Sequence, residues 1–384
     1  MPYRIVALVA LVVLPSAARC CSICDPNFLQ KPTLRQSALT AHFVVLGTLN
    51  NARLDGERGR TDLIVEQIIR DDGTIGKQKS ITVAGYIPFD AKNPPKFLVF
   101  GDLLNGKIDV VRGNPVRGSA VADYLKASLK IDERDRTKLL QFYFEHLDST
   151  NADVAADAFH EFAKASDLEI ASVARSLTPA KIRKLLKDTS TPPERIGIFA
   201  FLLGACGMKE DADYLASLIR KKEERGNGAL SGLLSGLIEL RPKDGWAITE
   251  EILRDGKRPY SDRLAALGTL RFFHGSKPKE CRTEIVKGLA AVVEDGDMAD
   301  MGLEDLRRWQ WWELTPLVLK QYGKPTHSAP LVKRAIVRYA LCCPNPEAAA
   351  FVKERRRTEA DLVKQVEESL EFEKPVPALP KQKL

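Results

Sequence analysis

The chain has 384 residues, with 58 Lys and Arg against 51 Asp and Glu for a formal charge of +7, 44% hydrophobic content and 7% aromatic content. That composition excludes a disordered chain, a collagen-like fibre and a disulfide-dense miniprotein, and so mild a charge falls short of the one-sided basicity of a nucleic-acid binder. The length accommodates two or three domains, each able to bury a core of its own.

Residues 1–20 read as a secretory signal: Arg4 supplies the positive start, residues 5–14 an apolar run, and Ser16-Ala17-Ala18 a small-residue exit. The run is too short to span a bilayer and no later window of about twenty residues lacks charge, so no transmembrane anchor is expected. Lipid attachment is disfavoured because neither Cys20, after Arg19, nor Cys21, after Cys20, follows the small residue that such attachment requires. The mature chain is therefore expected to be secreted or periplasmic. Cutting after Ala18 leaves all seven cysteines, whereas cutting after Cys20 leaves an even number and makes Cys21 the first residue. An even count suits an oxidising compartment.

From residue 21 to 113 the pattern is that of strands. Runs at 42–49, 61–69, 80–83, 97–100 and 107–111 are β-branched or aromatic and bounded by Gly, Asp, Asn or Pro. Residues 32–41 predict a short helix ahead of the first strand, and Asn105-Gly106 signals a tight hairpin between the last two. Five short strands in this length predict a small closed barrel.

Cys21-Ser22-Ile23-Cys24, the following helix, Phe43-Val44-Val45-Leu46-Gly47, Phe97-Leu98-Val99-Phe100 and Gly106-Lys107-Ile108 together resemble the netrin-like domain shared with tissue inhibitors of metalloproteinases. The resemblance implies a five-stranded OB-type barrel over residues 21–113. It also implies a role for Cys21, whose amino group and carbonyl would chelate a target enzyme's zinc if it begins the mature chain. Arg112-Gly113 stands near where the family places a partner cysteine.

Beyond residue 114 the period becomes helical. Val154, Ala155, Ala158, Phe159 and Phe162 share a face, as do Ile196, Phe199, Ala200 and Leu203, then Leu264, Ala265, Leu267 and Leu270, then Ile336, Val337, Tyr339 and Ala340. Segments at 153–159, 194–199, 262–267 and 332–337 begin with charged residues and continue with small and apolar ones, and Gly and Pro separate them. These copies resemble HEAT-type repeats over residues 114–370, which implies an α-solenoid. The fold class expected is thus multidomain α+β, a small OB-like barrel followed by a HEAT-like all-α array, and residues 371–384 form a Pro- and Lys-rich tail.

No nucleophile elbow, phosphate loop or dinucleotide fingerprint is present, and His42, His146, His160, His274 and His327 include no metal-spaced pair on one helix. No catalytic residue and no cofactor is therefore assigned. Cys21 and Cys24 are candidate metal ligands, but zinc needs two further ligands at sensible spacing. A structural or redox role for the pair stays open. His160 beside Glu161 reads as an exposed polar helix face. The densest aromatic feature is Trp309-Gln310-Trp311-Trp312 after Arg307-Arg308. Trp and Arg dominate binding hot spots, so Trp309, Trp311, Trp312, Arg307, Arg308 and Cys21 are the candidate partner-binding residues, although indoles also plug seams between repeats.

The expected function is that of a non-enzymatic extracytoplasmic scaffold whose helical array binds a protein or other envelope macromolecule, with no nucleic acid expected. Two alternatives stay open: a netrin-like regulator of a metalloprotease acting through Cys21, and a glycan-binding or glycan-processing protein using the Trp cluster.

Overall fold

The structure is a computed structural model that describes residues 30–55, 58–221 and 228–373. The signal segment, Cys21, Cys24 and the tail from residue 374 lie outside the described residues. The chain divides into two compact units, Met1–Val173 and Ala174–Leu384.

In the first unit, helix α1 (Leu34–Thr40) precedes strands β1 (Phe43–Asp55), β2 (Arg58–Asp71), β3 (Ser80–Ala84), β4 (Lys96–Leu104) and β5 (Lys107–Val116). Thr33 starts α1 through a capping box: its Oγ1 accepts from the Gln36 N–H at 3.1 Å, and its own N–H donates to the Gln36 side chain at 3.2 Å. The hairpin between β4 and β5 turns on Asn105 and Gly106, both at positive φ as a two-residue turn between twisted strands requires. Phe43, Val45, Leu49, Leu63, Ile81 and Val99 form the core of the sheet.

The expected closed barrel is corrected to an open sheet. Its antiparallel strands are hydrogen-bonded in the order β3-β2-β1-β4-β5, and the edge strands β3 and β5 come near one another without forming a ladder. The physical reason lies in the edges: β3 has only five residues, and β5 carries Pro115, which has no N–H to donate.

Helices α2 (Ala120–Leu129), α3 (Arg136–His146), α4 (Ala152–Lys164) and α5 (Asp167–Ala174) follow. The strand pattern stops near residue 113, yet the compact unit continues to Val173, because α2 packs on β2 and α1, and α4 packs on α2 and α3. The expectation of an exposed His160–Glu161 face is also corrected. Glu161 is buried, because this helix is covered on two sides and turns Asp157 and Glu161 inward, where the Leu34 N–H and the Tyr124 hydroxyl donate to Asp157.

In the second unit the helices are α6 (Pro179–Lys187), α7 (Pro193–Cys206), α8 (Asp211–Lys221), α9 (Leu230–Leu240), α10 (Pro242–Arg254), α11 (Tyr260–Ser276), α12 (Arg282–Glu294), α13 (Ala299–Trp309), α14 (Thr315–Gln321), α15 (Pro330–Cys342), α16 (Pro346–Thr358) and α17 (Ala360–Phe372). Proline opens α6, α7, α10, α15 and α16, where its missing N–H has no helical acceptor to lose. Besides packing between most sequence neighbours, helices two places apart are in contact: α7 with α9, α9 with α11, α13 with α15 and α15 with α17 in one layer, and α10 with α12, α12 with α14 and α14 with α16 in the other. The result is a two-layered helical array.

Its tightest seam joins α7 and α9, both buried on nearly every side. A Cβ on Gly232 would lie 2.0 Å from the Gly197 carbonyl oxygen, and one on Gly236 would lie 2.3 Å from that of Ala200. The two backbones touch because no side chain stands between them. Gly232→Ala should therefore push the helices apart and cost about 1–3 kcal/mol in overpacking, read as a lowered urea midpoint. An unchanged midpoint would show that this seam is not tight in solution.

Candidate functional site

The last three helices of the first layer, α13, α15 and α17, enclose a groove of about 650 Å³ lined by Asp300, Glu304 and Arg308, by Leu331, Arg334, Ala335 and Arg338, and by Gln365, Val366 and Ser369. Helical spacing explains the set: Leu331, Arg334 and Arg338 recur at three- and four-residue steps and so project from one side of α15. Val332, Ile336 and Val337 take the buried side.

The arginines differ in how they are held. Arg338 donates to Glu373 at 3.1 Å and to the Ser369 hydroxyl. Glu373 also accepts from Arg307 at 2.9 Å, so one carboxylate at the end of α17 ties α13 and α15 together. Glu304 receives Arg307 at 2.7 and 2.9 Å and Arg308 beside them. Burial would raise the Glu304 carboxyl, but these guanidinium hydrogen bonds outweigh it and hold the group below its usual range. Arg334 is exposed and makes a 3.3 Å hydrogen bond to the Gln365 amide oxygen. A guanidinium has five donors in a planar fork, so Arg334 retains capacity for an incoming carboxylate, and the exposed Leu331 one turn earlier offers an apolar contact beside it.

The tryptophans are held elsewhere in the same unit. Gln310 adopts the left-handed conformation that ends α13, and the Trp311 N–H returns to the Leu306 carbonyl at 2.9 Å. This reversal brings Trp311 against Trp309, with centroids 5.4 Å apart at 67°. His274 of α11 stacks face to face on Trp309 at 3.7 Å and 6°, and the Arg282 guanidinium lies 4.2 Å from the Trp311 ring centroid while its Nε donates to Glu313 at 2.7 Å. Trp312 packs edge-on to Tyr339 at 5.0 Å, and the Tyr339 hydroxyl is paired with Thr315 Oγ1 at 2.9 Å. Trp311 is buried, and Trp309 and Trp312 are half-buried.

Of the residues singled out by sequence, Arg308 lines the groove and Arg307 braces its border through Glu373. Trp309, Trp311 and Trp312 join the ring contacts between helices and are not among the groove's lining residues. Cys21 and Cys24 lie outside the described residues. Arg334, Arg338 and Leu331 were missed, although their three- and four-residue spacing along one helix was a signal available in the sequence.

Among the described residues, no group of three or more His, Cys, Asp or Glu side chains could hold a metal ion, and no helix is long and apolar enough to cross a membrane. Cys206, Cys281, Cys342 and Cys343 are free thiols, and burial pushes that of Cys206 up to about 11. The groove can supply guanidinium donors, an apolar contact and two carboxylates, which is the chemistry of binding.

No family model matches the chain, and no curated protein matches it. Among solved structures the chain is similar to human deoxyhypusine hydroxylase in complex with glycerol, at 16% identity and a TM-score of 0.27, over 64% of this chain and 93% of that chain.

If the indoles serve packing, Trp311→Ala should cost about 3–5 kcal/mol, as truncation of a buried aromatic does. Trp309→Ala should cost less, because its ring is half-buried. Equal and small losses in thermal melts of the two variants would instead mean that neither indole holds the array together.

Proposed function

We propose that this is an exported, non-enzymatic scaffold whose helical array binds an acidic, partly apolar segment of another macromolecule in the groove between α13, α15 and α17. The observation that carries the reading is the exposed Arg334 guanidinium set between Leu331 and Arg338 on one side of α15. Export rests on the signal-like residues 1–20. The two-place neighbour pattern of α7 to α17 supports assigning the array to the HEAT type, since stacked helix pairs leave one layer as a long continuous surface. The strand order, with β3 near β5 at the two edges, supports reading the sheet as an opened relative of the OB type.

The recognition chemistry is that of forked guanidinium groups meeting carboxylates, with Leu331 covering an aliphatic side chain. Glu304 and Asp300 on the opposite wall disfavour a segment of dense negative charge and select one in which acids alternate with apolar residues. Binding of a fluorescent peptide of alternating Glu and Leu, measured by anisotropy at low salt against a matched Lys and Leu peptide, tests this. The Glu peptide should bind, and Arg334→Glu with Arg338→Glu should weaken it at least tenfold without lowering the thermal midpoint by more than a few degrees. Equal affinity in the double variant would remove the groove from the proposal. Absence of binding in the unaltered chain would remove the acidic partner.

A further inference from the structure

Inside the first unit, two carboxylates on successive turns of α4 point away from water. Asp157 Oδ1 accepts from the Leu34 N–H at 2.8 Å, and Asp157 Oδ2 accepts from the Tyr124 hydroxyl at 2.9 Å. One side chain thus holds the first residue of α1, α2 and its own helix together. Glu161, one turn further on, is buried, and its Oε1 has no hydrogen-bond partner among the described residues. Beside Asp157 lies a cleft of about 580 Å³ lined by Lys31, Pro32, Arg112, Asn114 and His160 among others. The residues that enter α1 form one wall of that cleft.

We propose that Asp157 is a proton-operated latch: while it carries a proton the start of α1 stays seated on α4, and loss of that proton beside the buried Glu161 releases it and opens the cleft.

The charge environment sets the direction. Burial and the neighbouring Glu161 push the Asp157 carboxyl up to about 7, against the Leu34 N–H, the Tyr124 hydroxyl and Arg112 of β5, which favour the ionised form. Glu161 is likewise raised, chiefly by burial, while Thr33, Tyr143, Arg136 of α3 and Arg35 of α1 oppose the rise. The remaining groups near the latch are His160 on α4 and Lys31 and Asp153 at the cleft mouth. Because the folded value of Asp157 lies above its ordinary 3.8, the folded state binds a proton that the unfolded chain has already lost. The resulting stabilisation is complete below about pH 4 and is lost as pH rises through about 7. Above that, two like charges one turn apart in a buried site favour any opening that admits water. The cheapest is at α1, a helix of seven residues whose first N–H is held by Asp157 itself.

Amide hydrogen exchange of the full chain, corrected for the intrinsic rate at each pH, tests the latch. Protection of the Leu34 amide and its neighbours in α1 should fall at least tenfold between pH 6 and pH 8.5, while amides of α9 stay constant. Asp157→Asn keeps an acceptor for Leu34 and cannot ionise, so its α1 protection should not change with pH. Glu161→Gln removes the like charge that raises the Asp157 carboxyl and should move the transition to lower pH. Flat α1 protection in the unaltered chain would overturn the proposal. So would a loss with the same midpoint in all three proteins, and should Asp157→Asn fail to fold, identical midpoints in the Glu161→Gln variant and the unaltered chain would suffice.

Discussion

The α7–α9 contact is made by backbone, and the geometry of the helical unit follows from that closeness. Where Gly197 faces Gly232 and Ala200 faces Gly236, the helices approach without side chains between them, so neither can shift along the other without meeting a larger residue. Helices that close leave room for α10 and α11 to pack on α9 from either layer, and each following pair builds on the surface presented by the one before. A layered helical array gains its regularity in this way, because each interface constrains the next. The groove between α13, α15 and α17 lies at the end of that succession.

Charged pairs reinforce the stacking at the layer edges. Arg183 reaches Asp211 at 2.7 and 2.8 Å, Arg271 reaches Asp305 at 2.7 Å, and Lys277 reaches Glu239 at 2.6 and 2.7 Å, each bridging to another helix pair. The acid of each pair is largely buried while its basic partner reaches solvent, so the pairing offsets the desolvation of the carboxylate. Their directional forks fix which residue stands opposite which, and that selects among rotations of one pair on the next. Arg334 departs from the pattern by facing an amide. An amide satisfies part of a guanidinium's donor capacity and none of its charge, so Arg334 retains donors and charge that the helix stack does not use.

The strands, the α1 helix and the Asn105-Gly106 hairpin were legible because alternation, a capping residue and a turn dipeptide are local signals. Barrel closure was not, since it depends on whether β3 and β5 can exchange hydrogen bonds across the sheet, and no short segment records that. The helices of the array were legible from their period, and Pro and Gly marked their ends. A change of secondary structure is not a change of core: α2 to α4 are helical yet fall in the same compact unit as the sheet. Glu161 shows the same limit at the scale of one side chain. An acid beside a histidine in a helix reads as solvent-facing, and only the arrival of α1 from far earlier in the chain turns that face inward. For the Trp cluster the residues were evident, but their directions depended on the left-handed Gln310, a conformation that Gln does not announce.

The buried acids of α4 raise the question of why such a site is polar at all. Apolar side chains of similar volume would seat α1 with less desolvation cost, but they would accept many rotations and translations of a seven-residue helix. Asp157 accepts only where the first free N–H of α1 and the Tyr124 hydroxyl converge, and Arg112 adds a second fix by donating to Ser37 Oγ at 2.7 Å and to the Pro32 carbonyl at 3.2 Å. Those contacts define one orientation for the chain as it enters the fold. The specificity comes with titratable groups held away from water, and a device that sets the position of α1 by hydrogen bonds to a buried carboxyl is for that reason sensitive to the proton on it.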